Sequence, residues 1–324
     1  MKKFLNSTIN SPTVLTNYNL KKTGLEKLAN CCQLKLFGEC NKQDQPKVDF
    51  ILSGIGSRTL FQEISNDKYP NLKAVFHCGP DLEEEHYNSL LKKNIDIIFS
   101  VPKRNRHLPE VSFTLLLTAI RQLFSADNYV RTGLFKDKSP SVFLGETLEN
   151  KKVAVIGEEK DLQVFKKYSH SFQFQLLTAK APQLGCDRNG SSTNLKKLFQ
   201  AQKLKVQQII RQADYVCVMD ETFHKSPTPL VDDQFLFSLK SPNTKLIVTG
   251  SRSSVDINSL LDYLRNGKIK SVAIDTFENP NSSNIKLLSK FPNIILTPKL
   301  AYSDHECREE MVNLAIQKLL KYVK

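Results

Sequence analysis

The residues whose arrangement most directly suggests chemistry surround Gly157, in the stretch KKVAVIGEEKDL (151–162). The apolar run 153–156 predicts a buried strand that ends at Gly157, and the residues after it predict a helix. A strand, a glycine turn and a helix open a dinucleotide-binding unit, in which the pyrophosphate lies at the helix N-terminus. The fingerprint G-x-G-x-x-G keeps only Gly157, because Glu159 and Leu162 hold its other two positions. The stretch therefore predicts a nucleotide-binding frame with an altered phosphate loop.

The composition argues against several other classes of function. Seven cysteines show no C-x-x-C pair and no paired histidine spacing, which predicts reduced thiols and no metal site. The net charge of +13 is scattered along the chain, and its only dense basic patch, KRNRH (103–107), is too short to favour nucleic acid. No apolar run approaches the ~20 residues of a membrane span, and the N-terminus has no signal-peptide core. We expect a cytoplasmic protein without a membrane or nucleic-acid partner.

Short apolar runs alternate with helical patterns along most of the chain, as expected for parallel sheets covered by helices. Strands are predicted at 13–15, 34–37, 48–52, 72–76 and 95–99, and then at 152–156, 175–178, 215–219, 245–248, 271–274 and 293–296. The sequence therefore predicts an α/β protein with two doubly wound parallel sheets.

The break between the two runs of strands predicts two domains. The first domain is expected to comprise 1–102 together with the C-terminal segment 299–324, which contains an amphipathic helix, and the second to comprise 103–298. The residues 110–124 form a helical pattern that is apolar round much of its circumference, as expected of a helix buried between domains or subunits. A cleft between the two domains is the expected place for a small ligand.

Several separated segments resemble one family. In chain order they are PNLKAVFHCG (70–79), PEVSFTLLLTAIRQL (109–123), LGETLENKKVAVIG (144–157), IIRQADYVCVMDETFHKSPTPLV (209–231), KLIVTGSRSSVD (245–256), VAIDTFENP (272–280) and PNIILTPKLAYSD (292–304). On these segments the chain resembles the NAD(P)-dependent D-2-hydroxyacid dehydrogenases, and in particular the glyoxylate/hydroxypyruvate reductases. The resemblance implies a Rossmann-like nucleotide domain, a flavodoxin-like substrate domain, NAD or NADP as cofactor and a small 2-oxo or 2-hydroxy acid as substrate. It also implies a homodimer formed through about 109–150.

The resemblance assigns catalytic positions, and some of them are altered. Arg252 matches the family's arginine, whose planar guanidinium binds the substrate carboxylate and lies beside the cofactor. Glu278 is the only acid near the family's glutamate, whose own position holds Pro280. The family's proton-donating histidine corresponds to Lys299. An ordinary lysine stays protonated until about pH 10, so it can donate a proton but recovers one poorly. His305, six residues later, is an open alternative for this role.

The resemblance also assigns cofactor-binding positions to Gly157 and Lys180. The acid that would hold the ribose hydroxyls corresponds to Lys180, and a lysine there suits a 2′-phosphate and hence NADP. Glu158 and Glu159 place negative charge where backbone amides would approach a pyrophosphate. We therefore expect cofactor binding to be weak or absent.

The substrate loop of the family corresponds to Cys78 and Gly79, followed by Pro80 and Asp81. Pro80 removes one amide donor, and Asp81 brings negative charge toward a substrate carboxylate.

Four separate motifs thus depart from the family pattern. The departures favour a dehydrogenase-like protein that is catalytically impaired or inactive, a pseudoenzyme that acts by binding. One alternative is an active NAD(P)H-dependent reductase of a small 2-oxo acid, with Lys299 or a water as the proton donor. A second alternative is a corepressor-like interaction protein on the same scaffold.

Overall fold

The computed structural model describes residues 11–17, 22–54, 57–79, 82, 84–101, 106–136, 142–181, 192–220, 229–250, 255–275 and 283–323. The chain divides into two compact units, Met1–Lys103 with Asp304–Lys324, and Arg104–Ser303. The second unit thus ends at Ser303, whereas the sequence suggested residue 298.

The first unit contains a five-stranded parallel sheet. Its strands are β1 (Thr13–Thr16), β2 (Gln33–Leu36), β3 (Val48–Ser53), β4 (Ala74–His77) and β5 (Asp96–Phe99). Their order, β2-β1-β3-β4-β5, is the flavodoxin-like order of a doubly wound sheet. Its helices are α1 (Lys22–Ala29), α2 (Arg58–Ser65), α3 (Glu84–Lys92) and the C-terminal α11 (His305–Val323).

The core of this unit forms because both faces of the central strands are apolar. Leu15, Ile51 and Val75 lie on adjacent strands and are fully buried, in a cluster completed by Leu60 of α2. Such near-continuous apolar strands are typical of parallel sheets that helices cover on both faces.

The second unit contains a six-stranded parallel sheet. Its strands are β6 (Lys152–Gly157), β7 (Gln175–Lys180), β8 (Tyr215–Asp220), β9 (Lys245–Gly250), β10 (Ser271–Ile274) and β11 (Ile294–Leu296). Their order is β11-β10-β9-β8-β6-β7, so the order reverses between β6 and β8. Its helices are α4 (His107–Ile120), α5 (Leu123–Arg131), α6 (Glu159–Phe172), α7 (Ser192–Ile210), α8 (Asp233–Phe237), α9 (Ile257–Arg265) and α10 (Ser283–Leu288).

The predicted fold class is confirmed, because both sheets are parallel and helices alternate with their strands. One predicted element differs from the structure. The apolar pattern over 110–124 predicted a single helix, but α4 ends at Ile120 and Gln122 adopts a left-handed backbone conformation (φ 53°) before α5 begins. Among the described helices, none is long and apolar enough to cross a membrane.

Candidate functional site

The candidate site lies at the carboxyl edge of the second sheet. Gly157, Asp220 and Gly250 are the last residues of β6, β8 and β9, and the order of the strands reverses between β6 and β8. Ligands of doubly wound proteins bind outside the carboxyl ends of the strands, at such a reversal. The candidate site therefore comprises the turn after β6 and the turns after β10 and β11.

The turn after β6 has the geometry of a phosphate loop but carries carboxylates. Glu158 is extended (φ −80°, ψ 158°) and caps α6, whose first turn contains Glu159 and Asp161. The Asp161 side chain is fully buried there. A helix N-terminus carries a partial positive charge that attracts anions, and the carboxylates of Glu158 at the N-cap and Glu159 in the first turn oppose a bound phosphate.

Gly157 packs closely against the neighbouring strand. A β-carbon added at this position would lie 3.2 Å from the Met219 Cε atom of the neighbouring strand β8. The surviving glycine thus allows β6 and β8 to pack closely at the strand ends, and this contact does not depend on a ligand.

Lys180 lies beside the Gly157 turn. It is the last residue of β7, in register with Gly157, and the amide of Ala181 donates to the Gly157 carbonyl oxygen at 3.2 Å. The Lys180 side chain is exposed. Its ammonium group is therefore accessible to an anion near the end of β6. Among the predicted cofactor-binding residues that the structure describes, Lys180 is the only cation.

A buried carboxylate organises the turn after β11. Asp275, which follows β10, is 1% exposed. It accepts hydrogen bonds from the Thr297 hydroxyl (2.5 Å) and from the amides of Leu300 (2.8 Å) and Ala301 (2.9 Å). Burial raises the pKa of the Asp275 carboxyl above its ordinary value, although these hydrogen bonds and the charge of Lys299 counteract part of the rise. Asp275 therefore holds both ends of the turn that carries Lys299.

Lys299 occupies a constrained position in that turn. Its backbone is left-handed (φ 61°, ψ 47°), a conformation that costs a non-glycine residue about 1–3 kcal/mol unless its surroundings impose it. Its amide donates to the Thr297 carbonyl oxygen at 3.1 Å, and its own carbonyl accepts from the Tyr302 amide at 3.3 Å. Its Nζ lies 5.4 Å from the centroid of the buried Tyr302 ring. The turn thus presents a half-buried ammonium group that stacks on an aromatic face.

The predicted substrate-loop residues lie at the carboxyl edge of the first sheet. Cys78 follows β4, and its amide donates to the Ser53 carbonyl oxygen at 2.8 Å. Burial raises the pKa of the Cys78 thiol to about 12, so it is protonated at neutral pH and is no nucleophile. Gly79 follows it as the last described residue of this loop.

His77 precedes this loop and is a packed side chain. It is 3% exposed, and its ring meets the rings of Phe61 and Phe99 edge-on. Its Nδ1 atom lies 2.9 Å from the Ser53 hydroxyl oxygen.

Several predicted site residues lie outside the described residues. They are Arg252, Glu278, Pro80 and Asp81. His305 is the first residue of α11, with an exposed side chain. The structure therefore brings together Gly157 with Lys180, and Asp275 with Lys299. Within the described ranges, no group of three or more metal-ligating side chains converges.

Other residues that shape the site were not identified from the sequence. Thr297 and Tyr302 contact the turn of Lys299; Thr297 belongs to LTPK (296–299), and Tyr302 follows that motif by three residues. Lys203, 8% exposed, forms a 2.7 Å ion pair with Asp232, which caps α8 through the Phe235 amide. This ion pair joins α7 to the N-cap of α8, and its two residues are 29 positions apart in the sequence.

Comparison with known proteins shows the family and the fold of the chain. The family model described as "D-isomer specific 2-hydroxyacid dehydrogenase, NAD binding domain" matches residues 113–301, more than half of the chain. The glyoxylate reductase of Thermococcus litoralis is 26% identical over 263 residues, covering 79% of this chain and 75% of the relative.

Two solved structures share the fold over nearly their whole length. A glyoxylate reductase from Paecilomyes thermophila has a TM-score of 0.71 at 18% identity, covering 98% of this chain and 96% of that one. An NADPH-dependent glyoxylate/hydroxypyruvate reductase from Sinorhizobium meliloti, in complex with NADP and malonate, has a TM-score of 0.68 at 20% identity, covering 96% and 93%. With the match of the family model, these findings establish that the chain belongs to the D-isomer specific 2-hydroxyacid dehydrogenase family.

Proposed function

We propose that this chain is a glyoxylate/hydroxypyruvate reductase-like protein in which redox turnover is impaired, and whose site binds small 2-oxo or 2-hydroxy acids. One observation carries the proposal. Lys299, which the sequence resemblance assigns to the position of the family's histidine, lies in a turn held by hydrogen bonds from Thr297, Leu300 and Ala301 to the Asp275 carboxylate.

The consequence for proton transfer follows from the chemistry of the two side chains. An imidazole titrates near pH 6.5 and can both donate and recover a proton at neutral pH. A lysine with an ordinary pKa stays charged, so it stabilises an anion but does not act as a base. In this position Lys299 is suited to bind a carboxylate or a carbonyl oxygen, with Arg252 expected to hold the same ligand's carboxylate.

The cofactor site fits its expected ligand only in part. Lys180 suits a 2′-phosphate, which favours NADP over NAD. Glu158 and Glu159 do not fit a pyrophosphate at the α6 N-terminus. We propose that NADP and NAD bind weakly, with any remaining preference for NADP. In this account the second unit is the nucleotide-binding domain and the first is the substrate-binding domain.

The second candidate is an active NADPH-dependent reductase of a small 2-oxo acid. Lys180 favours it, because its exposed ammonium group lies beside the Gly157 turn. In that case Lys299 would donate the proton to the carbonyl oxygen, and Glu278 would adjust its basicity.

Steady-state kinetics separate the two candidates. The experiment mixes the full chain with NADPH and either glyoxylate or hydroxypyruvate and follows the absorbance at 340 nm. We expect the same rate as in the enzyme-free control. A substrate-dependent rate that Arg252→Ala abolishes would establish the active reductase instead.

The assembly we propose is a homodimer formed through the segment that begins at α5. No residue of α5 is buried in the described structure. Large apolar side chains of this segment are more than half exposed, namely Leu123, Phe124, Val130, Leu134, Phe135, Val142 and Leu144. Exposed apolar groups in such a concentration are typical of a surface that another protein covers.

We further propose that the protein works in a reducing, cytoplasmic environment. The six cysteines in the described part of the chain form no disulfide, and four of them are buried.

A further inference from the structure

A cavity lies in the second unit, on the opposite edge of its sheet from the candidate site. It has a volume of about 410 Å³ and is lined by the amino ends of β9, β10 and β11, the end of α4, the start of α5 and Phe143. Small-molecule sites typically have volumes of about 300–1,000 Å³, so the cavity is large enough for a small organic ligand.

Two lysines give this cavity its charge. Lys245 opens β9, and Lys270 immediately precedes β10, in which Ser271 pairs in register with Lys245. Both lysines line the cavity, and in the described structure neither ammonium group forms an ion pair. Two like charges on neighbouring strands repel each other, and an anion between them would relieve that repulsion.

Two acids on this edge, Glu146 and Asp214, are already engaged by other groups. Glu146 binds Lys151 at 2.7 Å and also accepts from the Tyr215 hydroxyl at 3.1 Å. Asp214 binds Lys240 at 2.6 Å. The charge of Lys245 does reach Glu146 and contributes to lowering its pKa, but Lys151 is the main cause.

The other walls of the cavity combine polar residues (Thr118, Gln122, Ser125, Ser271 and Asn293) with aromatic and aliphatic ones. Phe124, which is 53% exposed, and Phe143 line it together with Ile294 and Ile295. Such walls suit the flat apolar body of a ligand whose charged end lies at the lysines.

The wall that carries Phe143 is fixed in place by its neighbours. The Gln122 side chain donates from Nε2 to the Leu144 carbonyl oxygen at 3.1 Å, and the Glu146 amide donates to the Ile120 carbonyl oxygen at 3.2 Å. Between them Gly145 lies so close to α4 that an added β-carbon would be 2.9 Å from the Ile120 carbonyl oxygen. The cavity is therefore formed before any ligand arrives, which lowers the entropic cost of binding.

We propose that this cavity binds an organic carboxylate with an aromatic body, its carboxylate between Lys245 and Lys270 and its ring against Phe124 and Phe143. This site is separate from the carboxyl edge of the sheet and does not depend on the proposed function.

The test uses 4-(trifluoromethyl)benzoate as the probe and 4-(trifluoromethyl)benzamide as its uncharged match, with fluorine NMR line broadening as the measure of affinity. We expect the full-length protein to bind the benzoate and to bind the benzamide at least about tenfold more weakly. Lys245→Met/Lys270→Met should weaken benzoate binding by about tenfold or more. Lys205→Met/Lys268→Met, which removes two exposed lysines outside the cavity, should leave it unchanged.

Several results would overturn the proposal. Equal binding of the benzoate and the benzamide, or no binding of the benzoate by the wild type, would refute it. An equal loss of benzoate affinity in Lys205→Met/Lys268→Met, or full benzoate binding by Lys245→Met/Lys270→Met, would refute it as well. If the cavity variant instead changed the dimer dissociation constant while the wild type bound no benzoate, a second copy would be the occupant. The two single substitutions report separately if the double variant does not fold.

Discussion

At the scale of single residues, the pair Asp275 and Lys299 defines what the site can do. Asp275 is a positioning residue, since its carboxylate accepts three hydrogen bonds from the turn that carries Lys299. Lys299 contributes a positive charge, and the turn fixes the backbone conformation of this residue. A cation held in this way recognises anions over a wide pH range, whereas a histidine would do so only below its own pKa.

Replacing Lys299 by histidine should therefore make anion binding depend on pH. We expect the wild type to bind oxalate with nearly the same affinity at pH 6 and pH 8. Lys299→His should bind about tenfold more weakly at pH 8, because the imidazole loses its charge near pH 6.5. Isothermal titration calorimetry measures both affinities. Lys299→Gln, the uncharged control, should bind weakly at both pH values, and tight binding by that variant would refute the role of the charge.

Two aspartates of the second unit predict opposite pH dependences of stability. Burial raises the pKa of Asp275, so its native state binds more protons than the unfolded chain, and its contribution to the free energy of unfolding falls as the pH rises above about 4. Burial also acts on Asp214, but the Lys152 amide and Lys240 lower its pKa overall. The contribution of Asp214 is therefore present at neutral pH and is lost as the pH falls through its lowered pKa.

Urea unfolding at pH 4.5 and pH 7 checks this contrast. Asp275→Asn should lower the free energy of unfolding by about 1–3 kcal/mol, because it weakens the acceptor of three hydrogen bonds, and the loss should be larger at pH 4.5. Asp214→Asn should show the larger loss at pH 7. The same pH trend in both variants would contradict the assigned pKa directions.

At the scale of elements, the N-terminus of α6 determines how well a phosphate is bound. The strand, the turn and the helix are in place, but Glu158 and Glu159 occupy the helix end with negative charge. Each charge near a helix terminus is worth about 0.3–1 kcal/mol.

Removing these two charges should improve nucleotide binding. We expect Glu158→Gln/Glu159→Gln to bind NADPH roughly 3–30-fold more tightly than the wild type, from the sum of two such terms. Nucleotide fluorescence measures the affinity. Glu149→Gln removes an exposed carboxylate at the other end of β6 and should have no effect. Unchanged affinity in the α6 variant would show that these carboxylates do not limit binding.

Some secondary-structure elements could be predicted from the sequence, and others could not. Strands such as β6 and β8 were predictable because apolar runs between turn residues have few other structures. The end of α4 was not, since the apolar pattern continues to Phe124 and nothing local signals the left-handed Gln122. Gly157, Lys180 and Lys299 were assigned to the candidate site through their positions in motifs, and their roles stay predictions. The hydrogen bond from Thr297 to Asp275 joins residues 22 positions apart, and it forms only when β10 and β11 are paired. It could therefore not be predicted from local sequence.

At the scale of the whole molecule, the family fold persists at low sequence identity because two apolar sheets and their covering helices specify it. In the described structure, α5 has no buried residue, and the segment that begins there carries a concentration of exposed apolar side chains.

We predict that the wild type is a dimer in light scattering after size exclusion, and that Leu123→Ser/Phe135→Ser is a monomer. Burying each such side chain contributes about 1.5–3 kcal/mol, so losing two raises the dimer dissociation constant by at least a hundredfold. Phe237→Ser removes an apolar side chain that is 77% exposed on α8 and should leave the dimer intact. A monomeric wild type would refute the interface.

The chain keeps the dehydrogenase fold, and we propose that it has lost tight nicotinamide binding together with turnover. Titration of NADH and NADPH against the full-length wild type, followed by nucleotide fluorescence and thermal shift, tests this claim most directly. We expect dissociation constants of about 1 mM or weaker for both nucleotides, corresponding to a binding free energy no better than about −4 kcal/mol. Micromolar binding of either nucleotide would contradict the claim.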